Sequence, residues 1–517
     1  MKDFALSSLA PRGTRRVIYN SDPSNTTRHL SARAAKPEEL RQVVRNYSTK
    51  GAIDTVVQEI WHQGWTQFWR TDRCGYDARE PHQRLVPMMD EGVMPVEIYI
   101  DECHRQGMEF IAGFRMNDRH GHNADWFEAL SQEHPDWILK GYEPSSKRTT
   151  DPRSYALGCA LDYSVAAVRD WLFLIMEEAA SRFDIDGIEL NYTRLPACFP
   201  RGQAEERHEI MTGFVRRIRA MLDVVGKEKG RKLLLGARVL QHLEGCKKMG
   251  FDIPIWIGDR LIDYVVPGDI GFTDFNAKWE AFVELARAAD CYVYPQIQAK
   301  LGYDHRDLPQ TPAHCHAAVQ NFYGAGADGF STQNYFEVEQ YYTLKLMRDR
   351  RQLAAQNRHY VFYPIWGPNT GSQAGYQGDF PYCAEEIVLR REKPGARGTF
   401  RFRLCEHLAE VSKIAGDEVI SGAILVCRPK LLPGDEVEID INGQAIPAED
   451  IQYQWPVQKG QPPVCCFALG APPAAYGDNT LGLRLVKNAP GARGNIVLHE
   501  VEVLVKSQVQ SPADDFT

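Results

Sequence analysis

The chain has no run of apolar residues approaching the roughly 20 that a membrane-spanning helix needs. Its opening, Met1-Lys2-Asp3-Phe4-Ala5-Leu6, has no long apolar core of a secretory signal. The chain therefore reads as cytoplasmic, or as secreted or periplasmic if a signal has been removed. No tract rich in Lys and Arg is present and the formal net charge is -8, which argues against a nucleic-acid partner. The 12 cysteines form no CxxC pair, and Cys465-Cys466 is their one close spacing. That excludes a zinc ribbon or a disulfide framework and leaves most of them as small buried apolar groups. There is no internal repeat and no low-complexity block.

What remains is a globular composition, 44% hydrophobic and 25% charged, spread over 517 residues. That length is too great for one ordinary core and predicts two domains, one of them a large barrel. Up to about residue 355, strand-like and helix-like segments alternate. Strands are expected at residues 17–20, 53–60, 109–116, 183–194, 233–239, 263–266, 292–297 and 329–332. Helices are expected near residues 37–47, 95–106, 165–180, 206–225, 277–288 and 312–323. Eight strands alternating with helices predict an α/β fold, a (β/α)8 TIM barrel. The connection at 117–163 is its largest insertion and is expected to shape a cleft.

After residue 356 the pattern changes to short alternating segments at 399–404, 436–441, 481–486 and 495–505, broken by Gly and Pro. Ile441-Asn442-Gly443-Gln444 is a strong hairpin signal, because Asn-Gly accepts positive φ at both turn positions. These features predict a C-terminal antiparallel β-sandwich. The domains expected are a catalytic barrel over 1–355, an accessory sandwich over 356–506 and a disordered tail over 507–517.

The fourth strand carries the most chemistry. In Asp186-Gly187-Ile188-Glu189-Leu190-Asn191-Tyr192-Thr193-Arg194, Ile188, Leu190 and Tyr192 share one face while Gly187, Glu189 and Asn191 share the other. Apolar outward and polar inward is the pattern of a barrel strand wrapped in helices, and polar residues near its C-terminal end read as active-site residues. The same alternation places Asn20 and Asp22, then Gly113, Arg115 and Asn117, then Arg238 at the mouth, with Asp118 and His120 on the rim. Asp269, Tyr294, Gln296, Gln298, Gln333 and Asn334 follow from the later strands. Planar polar groups and aromatic faces together suit sugar hydroxyls and C–H surfaces.

Glycoside cleavage needs two carboxyl groups. Glu189 is the first, and its partner is expected to be Asp269, then Asp118, with Asp162 and Asp22 as further candidates. The plain alternative is that Glu189 pairs with Arg115 or Arg238 and only fills the barrel. Arg115, Arg194 and Arg238 could hold an acidic sugar, although neutralising Glu189 and Asp186 accounts for them more simply. Asp118-Arg119-His120-Gly121-His122 has ligand-like residues but no third or fourth ligand that can be placed, so neither metal nor cofactor is expected. His314 and His316 lie two apart in a helix and point away from each other. Trp61, Trp65, Phe68, Trp69 and Tyr76 are expected to be mostly loop core, with one or two sugar platforms.

The stretches Phe114-Arg115-Met116-Asn117-Asp118-Arg119-His120, Ala160-Leu161-Asp162-Tyr163-Ser164 with Val168-Arg169-Asp170, and Asp186 to Arg194 resemble the bacterial glycosyl-hydrolase-like barrel proteins labelled family-10-like. Gly236-Ala237-Arg238-Val239 and Gly326-Ala327-Asp328-Gly329 look similar to later parts of that pattern. The resemblance implies a barrel that cleaves oligo- or polysaccharide, with a sandwich as frequent companion. One position departs: where the family pattern usually has Asp, this chain has Asn191. The expectation is a glycoside hydrolase with Glu189, Asp269 and Asp118 as catalytic carboxyls. Asn20, Arg115, Asn117, His120, Asp162, Asn191, Arg194, Arg238, Tyr294, Gln296 and Asn334 would bind substrate. The alternatives are a glycan-binding barrel that lost a carboxylate at Asn191, or a uronate lyase using Tyr294 or His120 as base. The expected partner is a glycan, with no membrane partner, and the pattern leaves room for a homo-oligomer.

Overall fold

The computed structural model describes residues 11–506, except 32, 63, 78, 118–129, 131, 140–159, 270–272, 299–300, 302–310, 334–340, 364–385, 410–421 and 458–460. Eight parallel strands form the ring of the first sheet: β1 (Val17–Ser21), β2 (Thr55–His62), β3 (Glu109–Arg115), β4 (Gly187–Asn191), β5 (Leu234–Val239), β6 (Tyr264–Pro267), β7 and β8 (Phe330–Gln333). Strand β7 is broken by Pro295 into Tyr292–Val293 and Gln296–Gln298. Its first half pairs with β6 and its second half with β8, while β8 also pairs with β1. The ring is thereby closed, and the expected (β/α)8 barrel is present. Proline has no N–H to donate to a ladder, but the Pro295 carbonyl still accepts the Ser331 N–H at 2.9 Å.

The helices follow from apolar spacing and their end signals. Helix α1 (Pro37–Gly51) starts with proline in its first turn, where no intrahelical N–H partner is lost. It buries Leu40, Val43, Val44 and Tyr47 along one stripe. Helices α2 (Pro95–Arg105), α3 (Ala166–Arg182), α4 (His208–Glu228), α5 (Glu280–Ala288) and α6 (Pro312–Gly324) continue the alternation. No described helix is long and apolar enough to cross a membrane.

Alternation along the strands separates two cores. Tyr19, Val56, Phe110, Ala112, Ile188, Leu190, Leu235 and Ala237 face outward into the helix layer. Ile18, Val57, Ile111, Tyr264, Val266 and Tyr294 form a separate apolar plug inside the ring. The plug closes the barrel below its C-terminal end, so polar side chains gather above it.

The C-terminal strands are antiparallel, as expected. A five-stranded sheet contains Arg358–Phe362, Gly422–Cys427, Gln452–Gln454, Val464–Leu469 and Val501–Lys506. A four-stranded sheet contains Arg397–Leu404, Glu436–Ile441, Gln444–Ala445 and Gly477–Lys487, and a third pairs Ile387–Arg390 with Asn495–Leu498. The expected single strand at 495–505 is thus two strands in two different sheets. Ile441 pairs with Gln444 across Asn442 and Gly443, whose φ values are 53° and 82°. That is the hairpin geometry expected from Asn-Gly. Asn321 of α6 ties this region to the barrel: its amide donates to the carbonyls of Phe275 (3.0 Å) and Arg403 (3.2 Å) and accepts from Cys405 N–H (2.9 Å). The described cysteines are free thiols, all but Cys74 and Cys466 buried.

Candidate active site: a carboxylate row at the barrel mouth

Strand register places five residues side by side around the ring. Glu59 of β2 pairs with Gly113 of β3, which pairs with Glu189 of β4. Glu189 then pairs with Gly236 of β5, and Gly236 with Tyr264 of β6. The two glycines decide what fits between the acids. A Cβ at Gly113 would lie 3.0 Å from Glu59 Oε2, so the missing side chain leaves an interval between the two glutamates. A Cβ at Gly236 would lie 2.1 Å from the Tyr264 ring, so glycine there lets the ring lie across β5. Tyr264 thereby donates its hydroxyl to Glu189 Oε2 at 3.1 Å. Gly236→Ala is expected to destabilise the fold by about 1–3 kcal/mol through overpacking. Urea unfolding of the variant checks this, and an unchanged midpoint would contradict the packing described.

Glu189 and Arg238 are both wholly buried, with Arg238 Nε 2.8 Å from Glu189 Oε1. Arg238 is itself braced: Nη2 donates to Ser331 Oγ at 2.9 Å and Nη1 donates to Gln296 Oε1. Burial raises the Glu189 carboxyl above its ordinary range. Arg238 and the Tyr264 hydroxyl pull it down, neighbouring Glu59 pushes it up again, and the balance remains upward.

Glu59 is held differently. Its Oε1 accepts from two amides, Asn20 Nδ2 at 2.7 Å and Asn191 Nδ2 at 2.8 Å. The Asn191 amide has one orientation, because its Oδ1 accepts the N–H (3.1 Å) and hydroxyl (2.9 Å) of Thr193. Among the described residues Glu59 Oε2 has no hydrogen-bond partner, and Arg115 Nε stands 3.7 Å away. The other arm of Arg115 pairs with Asp22, whose Oδ1 accepts the Ser24 N–H at 2.8 Å. Burial alone would raise Asp22, but Arg115, Arg194 and that N–H outweigh it and hold the carboxyl well below the usual range.

Many of the expected residues meet here: Asn20, Asp22, Arg115, Glu189, Asn191, Arg194 and Arg238 belong to one connected set of contacts and charges. Others have structural employment. Asn117 is a loop clamp, donating to the Leu161 carbonyl (2.9 Å) and accepting the Leu161 N–H (2.9 Å). Asp162 closes a turn by accepting the Ser164 N–H at 2.8 Å. Gln296 and Gln298 both donate to the Asp269 carbonyl, which fixes the loop after β6. Tyr294 was expected at the mouth but lies in the apolar plug, its ring 5.9 Å from Arg15, which precedes β1 at the other end of the barrel. The break at Pro295 separates it from the mouth-facing Gln296 and Gln298. Trp61 near the end of β2 and Trp65, Phe68 and Trp69 just after that strand are buried core, and Tyr76 is half-buried. His314 caps α6 through Thr311 while His316 faces the Asn357 carbonyl, so the two are divided as expected. Asp118, His120 and Asn334 lie outside the described residues. Among the described residues, no group of three or more His, Cys, Asp or Glu is placed to hold a metal.

Glu59 is missing from the expected set. Its strand, Thr55-Val56-Val57-Gln58-Glu59-Ile60-Trp61-His62, is apolar enough to look like filler. The signal that finds it is the inward alternation of Val57 and Glu59.

Comparison with known proteins agrees with the resemblance read from the sequence. Residues 24–207 match the model of the family described as Glycosyl hydrolase-like 10. A protein named glycosyl hydrolase DigH, from Escherichia coli (strain K12), is 29% identical over 120 residues, 20% of this chain and 24% of that protein. The same match occurs in Shigella flexneri, so the chain spans about a quarter of the length of these relatives. Among solved structures, the glycoside hydrolase domain of PgaB (BpsB) from Bordetella bronchiseptica aligns with a TM-score of 0.40 at 12% identity, covering 65% of this chain and 98% of that one. An alpha-L-fucosidase isoenzyme 2 from Paenibacillus thiaminolyticus aligns with a TM-score of 0.42 at 10% identity, covering 74% and 52%.

Proposed function

We propose that this protein is a carbohydrate-active glycoside hydrolase acting on an oligo- or polysaccharide, with Glu189 and Glu59 as its paired carboxyls. The observation that carries this is their placement on either side of Gly113 in opposite environments. Glu189 is buried and raised, as a general acid needs to be. Glu59 has one oxygen clamped by two amides and the other without a hydrogen bond, as suits a nucleophile or base. The match to the glycosyl-hydrolase-like family over residues 24–207 supports the same class. Asp269 and Asp118 are the other carboxyls expected from the sequence, and Asp118 lies outside the described residues.

Each neighbour then has a task. Arg238 and Tyr264 fix the Glu189 carboxyl, Asn20 and Asn191 fix Glu59, and Arg115 with Asp22 and Arg194 lines the adjoining floor. Because an acid works only while protonated, activity should fall as pH rises through the raised Glu189 value. That limb should lie above the roughly 4.3 of an ordinary glutamate. The test is Glu189→Gln on a glycan cleaved by the wild type. Loss of about a hundredfold or more in kcat is expected, and undiminished turnover would rule Glu189 out.

A glycan-binding barrel without chemistry is the second reading, and Asn191 favours it where the family pattern has Asp. In that case the wild type binds glycan without releasing reducing ends. The lyase reading has lost Tyr294, which sits in the plug, as its base.

A further inference from the structure

The mouth contains an amide that the carboxyl pair does not use. Gln333 is the last residue of β8 and is wholly buried. Its direction follows from the strand. Ser331, two residues earlier and therefore on the same face, accepts from Arg238 Nη2 at 2.9 Å inside the ring. The neighbouring half of β7 agrees: Gln296, which touches Arg238, pairs with Ser331, and Gln298 pairs with Gln333. Gln333 thus stands one layer above the contact between Arg238 and Ser331, toward the C-terminal end of the barrel.

Strand β1 lies on its other side. Ile18 pairs with Ser331 and Tyr19 with Thr332, so the same register sets Asn20 beside Gln333. Ile18 belongs to the apolar plug, and Asn20 is the first inward residue above it. Asn20 Nδ2 donates to Glu59 Oε1 at 2.7 Å, so this layer reaches one of the paired carboxyls. Among the described residues, neither Gln333 Oε1 nor Gln333 Nε2 has a hydrogen-bond partner, and Asn20 Oδ1 has none. Gln298 differs, because its Nε2 is engaged by the Asp269 carbonyl. A buried amide unbonded at both ends ties no part of the fold together, and it is costly unless a guest supplies the missing bonds.

We propose that Gln333 is a substrate-binding residue whose carboxamide holds two neighbouring hydroxyls of a neutral sugar unit. The inference rests on reading the mouth as a glycan site and names a contact within it. A side-chain amide offers an acceptor and a donor side by side, and a hydroxyl serves as either. One hydroxyl donates to Gln333 Oε1 while its neighbour accepts from Gln333 Nε2. Asn20 Oδ1, on the adjoining strand, is an acceptor for a further hydroxyl proton. A carboxylate or sulfate in the same place only accepts, which leaves both amide oxygens unbonded. The subsite therefore takes hydroxyls and disfavours acidic sugars.

The test compares the wild type with Gln333→Met, in the full chain, on a glycan that the wild type cleaves and on its deoxy analogues. Methionine keeps the length of the side chain and removes both hydrogen-bonding atoms. KM is expected to rise about tenfold or more with kcat little changed, as for hydrogen bonds made equally in ground and transition states. The urea midpoint is expected to stay or rise, because the free protein loses no bond. The wild type should disfavour the analogue lacking a hydroxyl held by Gln333, and the variant should no longer do so. A lower urea midpoint, or a variant that does not fold, would show that the amide holds the fold and overturn the proposal. Unchanged KM, or undiminished discrimination against every analogue, would also overturn it while the hydrolase assignment stands. If the wild type binds a glycan and cleaves none, the hydrolase reading falls and Kd decides instead. A rise of about tenfold in Gln333→Met then upholds the contact, and an unchanged Kd removes it. A wild type that neither binds nor cleaves any glycan overturns both.

Discussion

Arg238→Met is expected to destabilise the barrel by about 3–5 kcal/mol, the cost of leaving a buried charge without its partner. Arg238 touches Glu189, Gln296, Ser331 and the Thr332 carbonyl, so one substitution strands several buried polar groups. The pH dependence has a definite sign. Glu189 already sits above its ordinary value because burial outweighs Arg238. Without the arginine it rises further, and the folded state holds that proton more tightly than the unfolded chain. The deficit is therefore small below the unfolded glutamate value of about 4.3 and grows as pH rises through the folded one. Urea unfolding at several pH values measures this. Removing both charges, as in Arg238→Met with Glu189→Met, should recover much of the loss, since no buried charge is then left alone. A single variant as stable as wild type at pH 8 would mean that the pair is not buried as described.

Asn191→Asp is expected to suppress activity at neutral pH, not to create it. Asn191 Nδ2 lies 2.8 Å from Glu59 Oε1. A carboxylate in its place cannot donate, and two carboxylates at that distance share a proton. Glu59 would then lose one of the two amides that hold its Oε1 and face a second acidic group in its place. At pH 7, kcat/KM should fall by about tenfold or more. The Thr193 contacts survive, because Asp retains an acceptor where Asn191 Oδ1 now sits. Activity that appears only in Asn191→Asp would favour a glycan-binding barrel that had lost its carboxylate.

Most of the barrel could be read from the chain because its two periodicities are strong. Ile188, Leu190 and Tyr192 against Glu189 and Asn191 gave the strand, its faces and its inward acid. The hairpin at Asn442-Gly443 was equally legible, since its backbone demand is local. Pairing partners were not. Alternation says that Glu189 and Arg238 point inward, but only register says that Gly113 separates Glu189 from Glu59. Polar side chains also look alike in sequence whether they face substrate or backbone. Asn117, two residues past β3, and Asn191, the last residue of β4, both look like strand-end amides, yet one clamps a loop and the other clamps a carboxylate. Tyr294 misled for a different reason: a proline in mid-strand divides the plug below it from the mouth above.

The measurement that bears most directly on the carboxyl pair is reducing-end release from a glycan panel by the wild type, Glu59→Gln and Glu189→Gln at equal folded concentration. The account predicts release by the wild type and a loss of about a hundredfold or more in each variant. Release by Glu59→Gln at the wild-type rate would contradict it.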